Sequence, residues 1–248
     1  MKTDEVDKPL DLVYAEKWRR SSRLFEENGC YRWMSSKVKD YKTILEIGCG
    51  SGSGTLALTK DGHEVVVVEK NRECISMTQK LLQDNGCIEN VSFLEGDIVL
   101  SETRNIITKD KRINAVVCWN PGTQLDVETF KNYVKYMIEY GLTIEQIREA
   151  PSSSYCEMML WHACSIAKSM NVPIHIIDRA TVIDEELVNY YEVLGKEIGF
   201  SHVQFDYLKT DTVSEGGVPL VSKGVLQNDH NIPVVLVSVL FLKQIENE

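Results

Sequence analysis

The hydrophobic pattern of the chain switches repeatedly between two periods. Residues 43–47, 65–68, 91–94 and 115–118 are short apolar runs, and the four consecutive valines of the second mark a strand covered on both faces. Segments of helical spacing lie between them. Residues 53–60 read as a short helix stopped by Asp61-Gly62. Asn71 can cap the next helix, which carries Ile75, Thr78, Leu81 and Leu82 as its inner stripe and ends at Asn85-Gly86. Strands separated by helices predict βαβ units and a largely parallel sheet.

Upstream, Tyr14, Trp18 and Phe25 fall on one face of a helix over 12–28, and a second short helix is predicted over 31–38. Residues 121–172 form a long connection with two or three helices. It puts Phe130, Val134, Met137 and Ile138 on one stripe and offers Ser152 to Ser154 as caps for a helix reaching about Ser169. A fifth strand covers 174–177 and a helix 185–198. Residues 203–208 and 234–242 leave no room for an intervening helix of any length, so they are predicted as an antiparallel pair. The second of them is strongly apolar and belongs between neighbours rather than at the rim. The fold class is therefore α/β, a doubly wound, mostly parallel sheet. No repeat or linker cuts the chain: residues 1–40 read as an N-terminal helical cover and 41–248 as one α/β domain.

Composition removes several function classes. The longest strongly apolar stretch, 232–242, is interrupted by Pro233 and Ser238 and is too short to span a membrane, which takes about 20 apolar residues. The N-terminus is mixed in charge and does not read as a secretory signal. Seven cysteines, with no CxxC pair, argue against a disulfide framework or a zinc site and for reduced thiols in the cytoplasm. The five histidines show no metal spacing; His63 reads as a turn residue and His162 as a core residue. A net charge of −10 disfavours tight nucleic-acid binding. A local exception is residues 17–42, where eight basic side chains face three acidic ones.

The candidate chemistry begins at residues 45–55, Leu-Glu-Ile-Gly-Cys-Gly-Ser-Gly-Ser-Gly-Thr. A strand runs into alternating glycines and then a helix, which lets a ligand approach the main chain and the open amides of the helix N-terminus. The dinucleotide fingerprint G-x-G-x-x-G needs glycine at 53 or 55, where the chain has Ser53 and Thr55. A nicotinamide cofactor is therefore disfavoured, and the run reads instead as E-x-G-x-G-x-G.

This run resembles motif I of the class I S-adenosylmethionine-dependent methyltransferases, and the resemblance extends over roughly residues 40 to 245. Glu69 ends the second strand, Gly96-Asp97-Ile98 follows the third and Trp119-Asn120-Pro121-Gly122 follows the fourth, in the family's order. The resemblance implies a seven-stranded sheet, S-adenosylmethionine as cofactor and S-adenosylhomocysteine as product. It implies a cofactor site made of Glu46, Gly48, Cys49, Gly50, Gly52, Glu69, Lys70, Asp97, Ile98 and Asn120. Glu69 would accept the ribose hydroxyl hydrogens, Asp97 would sit beside the adenine amino group, and Glu46 would serve the methionine amine or the loop amides.

Methyl transfer needs alignment and water exclusion more than acid–base chemistry. Asn120 is the catalytic candidate, since an amide oxygen there can hold an exocyclic amine. The second proline and aromatic that accompany it in nucleobase-amine enzymes are missing. The expected acceptor is therefore a small molecule or peptide-like chain, with a nucleic-acid amine and a binding protein without transfer as alternatives. Tyr14, Trp18, Asp178 and His230 are candidate acceptor contacts. Asp178 and Arg179 qualify by lying beyond a strand's carboxyl end, and His230 by its place in the long loop 210–231.

Overall fold

The computed structural model describes residues 10–119, 127–180, 182–212, 221–222, 225–226 and 232–243. The chain opens with α1 (Leu10–Glu27) and α2 (Cys30–Ser36). Then follow β1 (Thr43–Ile47), α3 (Ser53–Lys60), β2 (Glu64–Glu69), α4 (Arg72–Asp84), β3 (Val91–Glu95), α5 (Ser101–Ile107) and β4 (Ala115–Trp119). Three helices, α6 (Val127–Glu139), α7 (Ile144–Glu149) and α8 (Pro151–Met170), precede β5 (Ile174–Ala180). After α9 (Glu185–Ile198) come β6 (His202–Thr212), a two-residue ribbon of β7 (Val221–Ser222) with β8 (Val225–Leu226), and β9 (Ile232–Leu242).

Seven strands form one sheet in the order β3-β2-β1-β4-β5-β9-β6. Pairing is parallel from β3 through β5, and β9 runs antiparallel between β5 and β6. This is the predicted doubly wound sheet with its terminal antiparallel pair. The central strands β1 and β4 are buried at every position; β4 is apolar throughout, whereas β1 also buries Thr43 and Glu46. The edge strand β6 instead alternates along most of its length, with one side turned to water.

Each sheet face carries its own core. Leu45, Val116, Cys118, Ile174 and Ile176 pack against α8 and α9 on one side. Ile44, Val67, Val117, Trp119 and Ile177 pack against α1, α2 and α3 on the other. The chain winds outward from β1 to β3, then returns to β4 beside β1. The strand order reverses there, and in open α/β sheets that reversal opens a crevice beyond the carboxyl ends.

Local details differ from the sequence reading for identifiable reasons. The inner stripe of α4 is Cys74, Thr78 and Leu82, with Ile75 and Leu81 at its flanks. Asn71 caps α4 as expected, accepting from the amides of Glu73 and Cys74. On α6, Met137 is buried but Ile138 is exposed, because α7 and α8 cover only one side of the helix. Pro151 occupies the first turn of α8, so Ser152 to Ser154 are helical and do not cap it. The cap in this region is Thr143, in a reciprocal box with Gln146 at the start of α7. Helix α5 has only two buried positions, Thr103 and Ile107, too few to show a period. His63 is buried and hydrogen-bonds the Tyr41 carbonyl (2.6 Å), a packed residue rather than a turn residue.

Gly195 sits where α9 crosses the sheet, and a Cβ there would meet Phe241 at 2.9 Å and Val203 at 3.0 Å. Gly195→Ala should therefore destabilise the protein by about 1–3 kcal/mol through overpacking. Thermal unfolding would show the loss, and an unchanged midpoint would mean that α9 is free to shift.

Candidate active site

The turn between β1 and α3 is built from glycine for two separate reasons. Gly52, the residue before α3, has φ +90°, and a Cβ on it would lie 2.9 Å from the Thr78 backbone. Gly54 needs no unusual φ, but a Cβ there would lie 2.9 Å from Glu46 Oε1 and 3.1 Å from the Trp119 ring. No side chain caps α3, so its first amides have no side-chain acceptor.

Three carboxylates surround this turn. Glu69, at the end of β2, accepts the Asn71 amide on Oε1 (2.9 Å) and the Gly50 amide on Oε2 (3.4 Å). Burial raises its pKa, and those amide hydrogen bonds work against the rise. Asp97 accepts the Val99 amide (2.9 Å) on one oxygen and the Tyr133 hydroxyl on the other, and burial raises its pKa too. Glu46 is buried below the loop with the Thr55 hydroxyl on Oε2 (2.6 Å). Desolvation pushes its pKa from 4.5 to about 8, with the Thr55 hydrogen bond opposing, so the group is largely neutral at pH 7 in the ligand-free protein.

The walls are aromatic. Lys70 Nζ donates to the Tyr155 hydroxyl (2.8 Å) and sits 5.2 Å from the ring centroids of both Tyr133 and Tyr155. Those tyrosines come from α6 and α8, so the long connection between β4 and β5 reaches the end of β2. Trp119 closes the floor. Its indole N–H donates to His175 Nδ1 (3.1 Å), and His175 Nε2 pairs with the Ser238 hydroxyl (2.9 Å), which fixes the indole through a buried chain across three strands.

Helix α1 lies over the loop. The Trp18 ring is 3.5 Å from where a Cβ on Gly50 would stand, Ser22 Oγ is 2.5 Å from Ser51 Oγ, and Ser53 Oγ reaches Glu26 (3.4 Å). At its start, the Asp11 carbonyl accepts from the Asn71 side chain (3.1 Å). One cavity is lined by Trp18, Tyr31, Glu46, Gly48, Cys49, Gly50, Glu69, Lys70, Asp97, Ile98, Trp119 and Tyr155. It thus gathers the candidate cofactor residues apart from Gly52, which is buried behind the turn, and Asn120. Cys49 is buried, accepts from Thr78 (3.3 Å) and has its pKa raised by desolvation, so it is a packed thiol.

The candidate acceptor residues divide. Trp18 lines the cavity. Tyr14 lies within electrostatic reach of Tyr155 but does not line it. Asp178 is occupied elsewhere: Tyr191 donates to Oδ2 (2.8 Å) and the Arg179 amide to Oδ1 (2.7 Å). Asn120 and His230 lie outside the described residues. Tyr31, Tyr133 and Tyr155 were not singled out from sequence. Tyr133 sits three residues from Phe130 and four from Met137, so the stripe could have been read to include it.

Residues 44–139 match the model of a methyltransferase domain. That match spans less than half of the chain, so over this segment the chain is similar to methyltransferase domains. A relative, the cypemycin N-terminal methyltransferase of a Streptomyces species, is 32% identical over 37% of this chain and 37% of its own. A protein assigned as the cobalt-precorrin-6B C(15)-methyltransferase (decarboxylating) of Methanothermobacter thermautotrophicus is 40% identical over 21% of this chain and 28% of its own. This chain thus spans only about a third of the length of these relatives. The crystal structure of a proposed RNA methyltransferase from Pyrococcus horikoshii covers 88% of this chain and 84% of its own. Its TM-score is 0.50 at 13% identity, a likeness of fold.

The raised pKa of Glu46 couples stability to pH. The folded protein holds a proton that the unfolded chain releases near 4.5, so this stability is complete below 4.5 and is lost as pH rises to about 8. Glu46→Gln should remove the dependence. The variant should gain on the wild type by up to about 1.4 kcal/mol per pH unit between pH 5 and 8 in denaturant unfolding. A constant difference would mean that Glu46 is ionised throughout.

Proposed function

We propose that this chain binds S-adenosylmethionine in the cavity between α1, the glycine turn and Tyr155, and methylates a small-molecule or peptide-like acceptor. The observation that carries the reading is Glu69: a carboxylate held by two backbone amides at the end of β2, opening on the same cavity as the glycine turn and Asp97. The residues fit that cofactor. With one amide on each oxygen, the carboxylate keeps a further lone pair on each for a vicinal diol. Tyr133 and Val99 fix Asp97, leaving it to accept from an exocyclic amine. The tyrosine rings and Ile98 supply flat apolar walls. The open first turn of α3 suits a carboxylate, and Glu46 below it suits an amine.

Bound S-adenosylmethionine supplies an electrophilic methyl group on a sulfonium. The chain's own task is to orient and to exclude water. Trp18, Tyr31 and Trp119 border the cavity, and we assign residues 1–40, through α1 and α2, the role of a cover. Asn120, directly after Trp119, is proposed to face the acceptor.

A peptide or small-molecule acceptor agrees with the overall charge and with the names of the two relatives. A nucleic-acid acceptor would lean on the basic residues 17–42. Two of those are already engaged, Lys37 with Asp206 and Lys42 with Glu64, which weakens that alternative. Among the described residues no helix is long and apolar enough to cross a membrane.

The test is calorimetric titration with S-adenosylmethionine, S-adenosylhomocysteine and NAD. Binding of the first two and not the third is expected, and Glu69→Ala should weaken both at least tenfold, since a charge-assisted hydrogen bond is worth about 1.5–3 kcal/mol. Equal affinity in the variant would remove Glu69 from the site. Radiolabelled transfer across an acceptor panel then separates an enzyme from a binding protein that does not turn over.

A further inference from the structure

A partly buried arginine stands beside this site with no carboxylate in ion-pair contact among the described residues. Arg179 lies near the carboxyl end of β5, two residues beyond Ile177, so the two share one face of the sheet. Ile177 pairs in register with Trp119, whose indole lines the cavity. The guanidinium reaches Thr212 Oγ1 at 3.5 Å across the sheet, and it lies within electrostatic reach of Tyr31, which also lines the cavity.

Five N–H donors in a rigid fork are thus met by one long hydrogen bond to a neutral hydroxyl. Among the described residues no carboxylate forms an ion pair with it. The nearest in sequence, Asp178, points to the opposite face and is taken by Tyr191. Desolvation lowers the pKa of Arg179, and the charge of Asp178 opposes that only in part. A partly buried cation with so few hydrogen-bond acceptors is costly, and folding recovers little of that cost. A bidentate anion is the partner that a guanidinium fork fits best.

We propose that Arg179 anchors an anionic group, a carboxylate or a phosphate, of the methyl acceptor, with Thr212 and Tyr31 beside it. This rests on the methyltransferase reading and narrows it: acceptors are small anionic molecules or peptides that present a carboxylate or phosphate beyond the end of β5. The Asp178 side chain then serves to fix the strand end on the other face, not to touch the acceptor.

Two measurements test it without any turnover. Arg Nε–Hε resonances of the ligand-free and the S-adenosylhomocysteine-loaded protein are followed during titration with inorganic phosphate and with acetate at constant ionic strength. A saturable shift is expected for one resonance, lost in Arg179→Met and at least tenfold weaker in Arg179→Lys, which keeps the charge but not the fork. Saturation by phosphate alone or by acetate alone identifies the source of the anion. The second measurement is thermal unfolding of the ligand-free protein, in which Arg179→Met should melt at or above the wild-type temperature. The proposal is overturned if neither anion saturates an arginine resonance, if binding is unchanged in Arg179→Met, or if that variant melts well below the wild type, as a structural arginine would require. Failure of S-adenosylhomocysteine binding with anion binding intact would count against the methyltransferase reading instead.

Discussion

The carboxylate of Glu69, clasped by the Gly50 and Asn71 amides, ties together the parts on which this site depends. It joins the end of β2 to the glycine turn after β1 and to the first turn of α4. Asn71 in turn caps α4 and holds the Asp11 carbonyl at the start of α1. A single half-buried carboxylate thus links the ends of two strands to α4 and, through Asn71, to α1. It also carries an unfavourable desolvation that hydrogen bonds only partly offset. Glu46 and Asp97 repeat the pattern, with burial raising each pKa. Polar groups held in a low dielectric ahead of any ligand make a preorganised site.

Helix α1 and the long connection approach the glycine turn and Lys70 from different sides. Helix α1 lays Trp18 and Ser22 across the glycine turn from one side. Helices α6 and α8 bring Tyr133 and Tyr155 against Lys70 from the other. Neither group lies on the strands, so the crevice of the sheet is closed by elements that reach it over long stretches of chain.

The sheet was legible because its signals are local. Four valines, a glycine run after an apolar strand and two apolar segments too close for a helix each name local elements, and together they give a mostly parallel sheet with an antiparallel pair. Glu69 and Asp97 could be read because one ends β2 and the other closely follows β3, where the family resemblance places its acidic residues. Tyr155 and Tyr31 could not, because their role depends on how α2 and α8 pack and not on neighbours in sequence, whereas Tyr133 lay within reach of the stripe on α6. The seven-residue α5 was missed because two buried positions do not make a period. The reading of Asp178 as an acceptor contact followed from its strand end alone. Alternation put it on the face of Tyr191 and put Arg179 on the face of the cavity.

The central claim is that the cavity beside Glu69 is a nucleoside site, and a crystal structure with S-adenosylhomocysteine tests it most directly. The account predicts the ribose hydroxyls on the Glu69 carboxylate and the purine beside Asp97, walled by Tyr155. A ligand bound elsewhere, or one that leaves Glu69 contacting only the Gly50 and Asn71 amides, would contradict it.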